Sequence, residues 1–123
     1  MQVQVNTDRN VDGGEKFDAY VRRMVESALE RFSDRVTRVE VHIGDENANK
    51  GGQGDKRCMM EARLEGRQPS AVTHHSNTVE DAVDGAAAKL ERLVAHTLDK
   101  LRDVHAHAHA PESMLTDEVV TPP

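Results

Sequence analysis

The 123-residue chain has no tryptophan, one tyrosine, two phenylalanines and one cysteine. Without large rings its core must be assembled from Val, Ala, Leu and Met, which makes a small, thin interior. The single cysteine, Cys58, excludes an intrachain disulfide. It lies in an alternating run typical of a strand, where a thiol is a buried structural group rather than a nucleophile. No stretch of about 18 consecutive apolar residues occurs, so no membrane-spanning helix is expected. The start MQVQVNTDRN has neither the basic beginning nor the apolar centre of a secretory signal, and a cytoplasmic location is expected.

Excess positive charge is also missing. The formal net charge is -6, which argues against a surface uniformly coated in positive potential. The sum conceals an uneven distribution, because residues 104–123 hold Glu112, Asp117 and Glu118 and no Lys or Arg. Without those three acids the remainder has 16 Lys and Arg against 19 Asp and Glu. A near-balanced domain of this kind can still carry a basic patch.

What is present is a clear alternation of two periods. Val3 and Val5 alternate with Gln2, Gln4 and Asn6 in a short half-buried strand over residues 1–6. From Gly14 the spacing changes to three and four: Phe17, Val21, Met24, Val25, Ala28, Leu29 and Phe32 describe an amphipathic helix of roughly five turns, ending near Ser33. Val39, Val41 and Ile43 then alternate with Arg38, Glu40 and His42 in a second strand. The stretch GDENANKGGQGD, residues 44–55, is a Gly- and Asn-rich connection to a third strand. That strand, residues 56–65, turns Cys58, Met60, Ala62 and Leu64 to one side. Gly66 to Pro69 make a turn, and residues 70–76 form a weaker fourth strand whose inward face the pattern leaves open.

Thr78, with Asp81 three residues later, announces a second helix through a capping-box arrangement. Val79, Ala82, Val83, Ala86, Ala87, Leu90, Leu93, Val94, Thr97 and Leu101 trace its apolar face. Residues 104–123, VHAHAHAPESMLTDEVVTPP, lack a hydrophobic period and are expected to be a disordered tail. The order β-α-β-β-β-α predicts an α+β domain over residues 1–103. A right-handed parallel crossover and an antiparallel meander would build a four-stranded sheet with both helices on one face.

Catalytic chemistry is hard to find. GGQG lies between two strands with no downstream GK[ST] and no helix to supply amides, so it is a hairpin loop and not a phosphate loop. No Ser, His and Asp arrangement has the strand-to-helix context of a nucleophile elbow, and the pair Asp45 and Glu46 falls in the loop. His105, His107 and His109 alternate with alanine but lack a fixed acidic or thiol partner. His74 and His75 must face opposite sides of the fourth strand. These observations predict a protein that is not an enzyme, with no cofactor, no metal site and no small-molecule substrate.

One positive feature remains. Lys89, Arg92, His96 and Lys100 follow one another at spacings of three, four and four, and so fall within about 80° on the second helix, nearly opposite its apolar stripe. Most such stripes are simply solvated. Asp99 and Asp103 border the same sector, and Glu91 and Arg102 the other flank. On the first helix Lys16, Arg23 and Arg31 lie to one side of the apolar stripe, beside Glu30. Two such helices, side by side, would offer a broken basic groove to a phosphate backbone.

The segments VQVNTDRNV, FDAYVRRMVESALERF, RVTRVEVHIG and DAVDGAAAKLER followed by DKL resemble the ribosome hibernation-promoting factors, also described as ribosome-associated inhibitors or sigma-54 modulation proteins. The resemblance spans residues 1 to about 103. It implies a β-α-β-β-β-α domain similar to double-stranded RNA-binding domains. It also implies binding to the rRNA of the small ribosomal subunit, in the channel for messenger and transfer RNA, with translation inhibited under stress or in stationary phase. Basic residues on the two helices and nearby loops make the contact in such proteins. By position the resemblance points to Arg9, Arg22, Arg23, Lys89, Arg92, His96 and Lys100. Relatives usually continue KLER with a dense basic run, whereas this chain reads LVAHTL, which leaves fewer phosphate contacts and a shallower salt dependence. The short length past the second helix implies a short form, one that needs another hibernation factor to pair ribosomes. A second reading on the same fold is a protein-interaction or stress-associated module with weak or no RNA binding, acting through the polar sheet face or the acidic tail.

Overall fold

The computed structural model describes residues 1–9, 11–46 and 55–107, with side-chain environments as far as Leu101. Seven elements follow in order: β1 (Gln2–Thr7), α1 (Glu15–Ala28), a 3-10 turn (Glu30–Phe32), β2 (Val36–Asp45), β3 (Lys56–Leu64), β4 (Ser70–Ser76) and α2 (Val79–His107). The strands form one sheet in the order β1-β2-β3-β4. β1 and β2 are parallel, and the other two pairings are antiparallel. This is the α+β arrangement that the alternation of periods predicts.

Register explains the core. Val3 lies beside Val39, which faces Ala62; Val5 lies beside Val41, which faces Met60; Ile43 faces Cys58. Each row thus carries apolar side chains to one side of the sheet. There they meet Val21, Val25 and Leu29 on or just after α1 and Ala82, Val83, Ala86, Leu90 and Val94 on α2, all buried. Phe17, Tyr20 and Phe32 are only partly buried and pack at the margin, so the interior is built from aliphatic, Met and Cys side chains. The alanines on α2 let the helix backbone approach the sheet closely.

The structure settles the ambiguous strand. Along β4 the half-buried positions are Ser70, Val72, His74 and Ser76, and the exposed ones are Ala71, Thr73 and His75. Val72 and His74 therefore face the helices. The His74 ring lies where a Cβ on Gly85 of α2 would stand, so the glycine allows helix and strand to close around it. His75, on the opposite face, has Nε2 2.8 Å from Glu46 Oε1.

Other expectations need adjustment. α1 stops at Ala28, sooner than the five turns predicted, and the chain tightens at Leu29 into the 3-10 turn. No glycine is available there for a left-handed cap, and 3-10 tightening instead satisfies end groups: Phe32 N–H donates to the Leu29 carbonyl at 2.9 Å. α2 begins as expected, with Thr78 Oγ1 accepting from Asp81 N–H at 3.0 Å, but it continues to His107. Residues 104–107, assigned to the tail from sequence, contain Ala106 and meet no proline before Pro111, and the helix runs on through them. His109 and residues 108–123 lie outside the described residues, as does most of the 44–55 connection. Asp45 and Glu46, placed in that connection, belong instead to the end of the β2-β3 hairpin. Asp45 pairs with Lys56 at 3.3 Å, and Glu46 N–H donates to the Asp55 carbonyl at 2.8 Å.

Candidate nucleic-acid interface

Topology sorts the predicted cations by position. β1 and β2 run in the same direction, so α1 must return antiparallel to both, and β4 likewise delivers the chain to α2 at the same end of the sheet. Both helices therefore start at the end that bears Arg9 and run toward the end that bears the β3-β4 turn. Arg9 is exposed just past β1. Lys100 stands at the far end, about 30 Å away along the helix direction at 1.5 Å per residue.

Neighbouring arginines on α1 diverge. Arg22 turns to the outer edge of the sheet, where its Nε contacts Asp18 Oδ2 at 2.7 Å and its Nη1 donates to the main-chain carbonyl of Val3. Arg23, one residue on, is exposed and enters no ion pair among the described residues. On a helical wheel it shares a flank with Lys16 and Tyr20, beside α2.

α2 presents three parallel strips. Asp84 and Glu91 border α1: Tyr20 Oη donates to Asp84 Oδ1 at 2.5 Å, and Arg31 Nη2 lies 3.9 Å from Glu91 Oε2. Burial, reinforced by this carboxylate, pushes the Tyr20 phenol up to about 12. Next, at 100° per residue, come Ala88, Ala95 and Asp99. Beyond them, on the flank turned to β4, stand Lys89, Arg92, His96 and Lys100. Lys89 Nζ donates to the Thr73 carbonyl at 3.0 Å, which locates that flank directly. Arg92, His96 and Lys100 make no ion pair among the described residues.

The predicted residues therefore do not converge on one groove between the helices. The α1-α2 seam carries two acids, and the strip with Asp99 separates Arg23 from the cations of α2. Those cations instead continue toward the turn after β3. Gly66, Arg67, Gln68, Pro69 and Ser70 share a cleft of about 430 Å³ with Thr97 of α2. Arg67 is exposed. Reading the sequence missed it because the turn and the helix lie about 30 residues apart and only the β3-β4 hairpin brings them together.

The open face of the sheet differs electrostatically. Arg38 Nη2 is 3.6 Å and His42 Nε2 3.8 Å from the Glu40 carboxylate, and Arg57 Nε is 3.5 Å from Glu46. Three of its basic side chains thus already face acids. Charge left for an anionic partner is concentrated on the helix side. Among the described residues no group of three or more His, Cys, Asp or Glu side chains is arranged to hold a metal ion, and no helix is long and apolar enough to cross a membrane.

Comparison with known proteins agrees with this architecture. The domain of the Thermus thermophilus Protein Y N-terminal domain superposes with a TM-score of 0.61 at 21% identity, over 76% of this chain and 96% of that one. A ribosomal subunit interface protein from Coxiella burnetii gives 0.61 at 20% identity, over 80% of this chain and 99% of that one. At such identities the likeness establishes the fold. No curated protein sequence matches the chain. The profile of one family, however, matches residues 4–102, from the first strand nearly to the end of the second helix. The chain belongs to the sigma 54 modulation protein / S30EA ribosomal protein family.

Proposed function

We propose that this protein is a non-enzymatic, ribosome-associated factor of the cytoplasm that binds rRNA of the small subunit in the messenger and transfer RNA channel and inhibits translation during stress or stationary phase. The observation that carries the reading is the strip Arg92, His96 and Lys100 on a member of this family, three basic positions in helical register that enter no ion pair among the described residues. Arg9 and Arg23 are proposed as outlying phosphate contacts at the other end of the helices and on α1. Arg22 and Lys89 are proposed as contacts that also hold the sheet edges, through the carbonyls of Val3 and Thr73. Phosphate neutralisation by a few such cations gives binding that weakens as salt rises. Another hibernation factor is proposed as a partner where ribosomes pair.

Sedimentation of stationary-phase lysate through sucrose gradients at moderate and high salt tests this. The protein should travel with the small-subunit and whole-ribosome fractions at moderate salt and leave them at high salt. Its absence from those fractions at both salts would refute the proposal.

A protein-interaction module with little RNA affinity is favoured by one specific observation: Asp84, Glu91 and Asp99 interrupt the cationic surface between the helices. Charge reversal by Arg92→Glu with Lys100→Glu separates the readings. Loss of ribosome association with an unchanged circular dichroism spectrum eliminates the interaction module; unchanged association supports it.

A further inference from the structure

We infer that the phosphate-binding surface extends from α2 onto the β3-β4 turn and that Arg67 is one of its contacts. The inference rests on the RNA-binding reading above and adds to it a residue outside both helices. Three observations carry it. First, Arg67 is exposed and enters no ion pair among the described residues, so its guanidinium is available to an anion. Second, the turn is held in place: Gly66 takes φ 72°, which an L side chain rarely adopts, and Arg67 N–H donates to the Leu64 carbonyl at 3.0 Å. Third, the turn and Thr97 line one cleft, and Thr97 sits next to His96 and one turn before Lys100.

That position is informative. The segment LVAHTL, residues 93–98, has no Lys or Arg and leaves only His96 as a basic side chain between Arg92 and Lys100. Arg67 lines the cleft beside the helix at this level from a different element. A phosphate lying along the flank of α2 would meet Arg92, then His96 with Arg67, then Lys100. An arginine suits the task, because its planar fork donates two parallel hydrogen bonds to phosphate oxygens. Gln68 and Ser70 add neutral donors to the same cleft. The Thr97 hydroxyl is already used, donating to the Leu93 carbonyl at 2.8 Å.

Binding of the purified full chain to isolated small ribosomal subunits, measured across a salt series, tests the inference. The variants are Arg67→Glu and, as a control of equal charge change, Arg63→Glu on the open sheet face, where Arg63 is exposed and enters no ion pair among the described residues. With the wild type binding, Arg67→Glu should weaken affinity about tenfold and lower the slope of log affinity against log salt by about one, while Arg63→Glu stays within about twofold. Arg67→Lys should retain most of the affinity. If both charge reversals weaken binding equally, net charge alone explains the loss and the inference is overturned. If Arg67→Glu binds like the wild type, it is overturned while ribosome binding stands. If the wild type itself does not bind, the RNA-binding reading fails and the inference falls with it.

Discussion

Lys89 Nζ donates to the main-chain carbonyl of Thr73 at 3.0 Å, so a cation in the proposed RNA-binding strip also covers the free edge of β4. Arg22 does the same at the other edge, donating to the Val3 carbonyl of β1. β1 and β4 are the two outer strands of the sheet, and exposed edges invite pairing with other chains. Charged side chains from the helices blunt both.

Lys89→Ala should therefore cost stability as well as affinity. An exposed hydrogen bond of this kind contributes on the order of 0.5–1 kcal/mol. Arg92→Ala, in the same strip but without a partner among the described residues, should change stability by less than about 0.5 kcal/mol. Urea denaturation midpoints of the two variants check the difference.

Gly85 gives a sharper test of packing. Replacing a helical glycine by alanine ordinarily stabilises by about 1 kcal/mol. Here a Cβ at position 85 would overlap the His74 ring, so Gly85→Ala should yield no such gain and should displace the ring. In a His74→Ala background the same change should recover the helix benefit, and the double-mutant cycle should show coupling of about 1 kcal/mol or more.

Tyr20 is the single tyrosine and there is no tryptophan, so tyrosinate absorbance reports one group. Its phenol is raised from 10.0 to about 12, first by burial and then by the hydrogen bond to Asp84. Because the folded value lies above the unfolded one, the contribution is complete below pH 10 and disappears as pH rises through about 12. Spectrophotometric titration should place ionisation well above pH 10. Tyr20→Phe should be less stable at neutral pH and should lose stability less steeply between pH 10 and 12.

Cys58 is fully buried between β2 and β4 in the sheet, and burial pushes its thiol up to about 12. Since the thiolate is the reactive form, a thiol reagent such as dithionitrobenzoate should modify the native protein far more slowly than the urea-unfolded chain. Rapid stoichiometric labelling of the native protein would contradict this burial.

Much of this was legible in the residues themselves. The period of two in Val39, Val41 and Ile43 and the period of three and four in Val21, Val25 and Leu29 identify elements because each strand or helix must bury a single face. Thr78 marks the start of α2 through local capping chemistry. Arg92, His96 and Lys100 share a flank for the same local reason. By contrast, β4 has a polar or small residue at almost every position, and only its pairing with β3 decides that His74 faces the helices.

The sequence by itself determined the order of elements, the aliphatic composition of the core and the basic strip on α2, because all three depend on spacing within one segment. Tertiary structure alone decided where that strip leads. It turned Arg22 and Lys89 to opposite edges of the sheet, placed Asp84 and Glu91 in the seam between the helices, and brought Arg67 beside Thr97. Those relationships join residues separated by 16 to 64 positions, and they follow from strand register and helix docking, which no local pattern encodes.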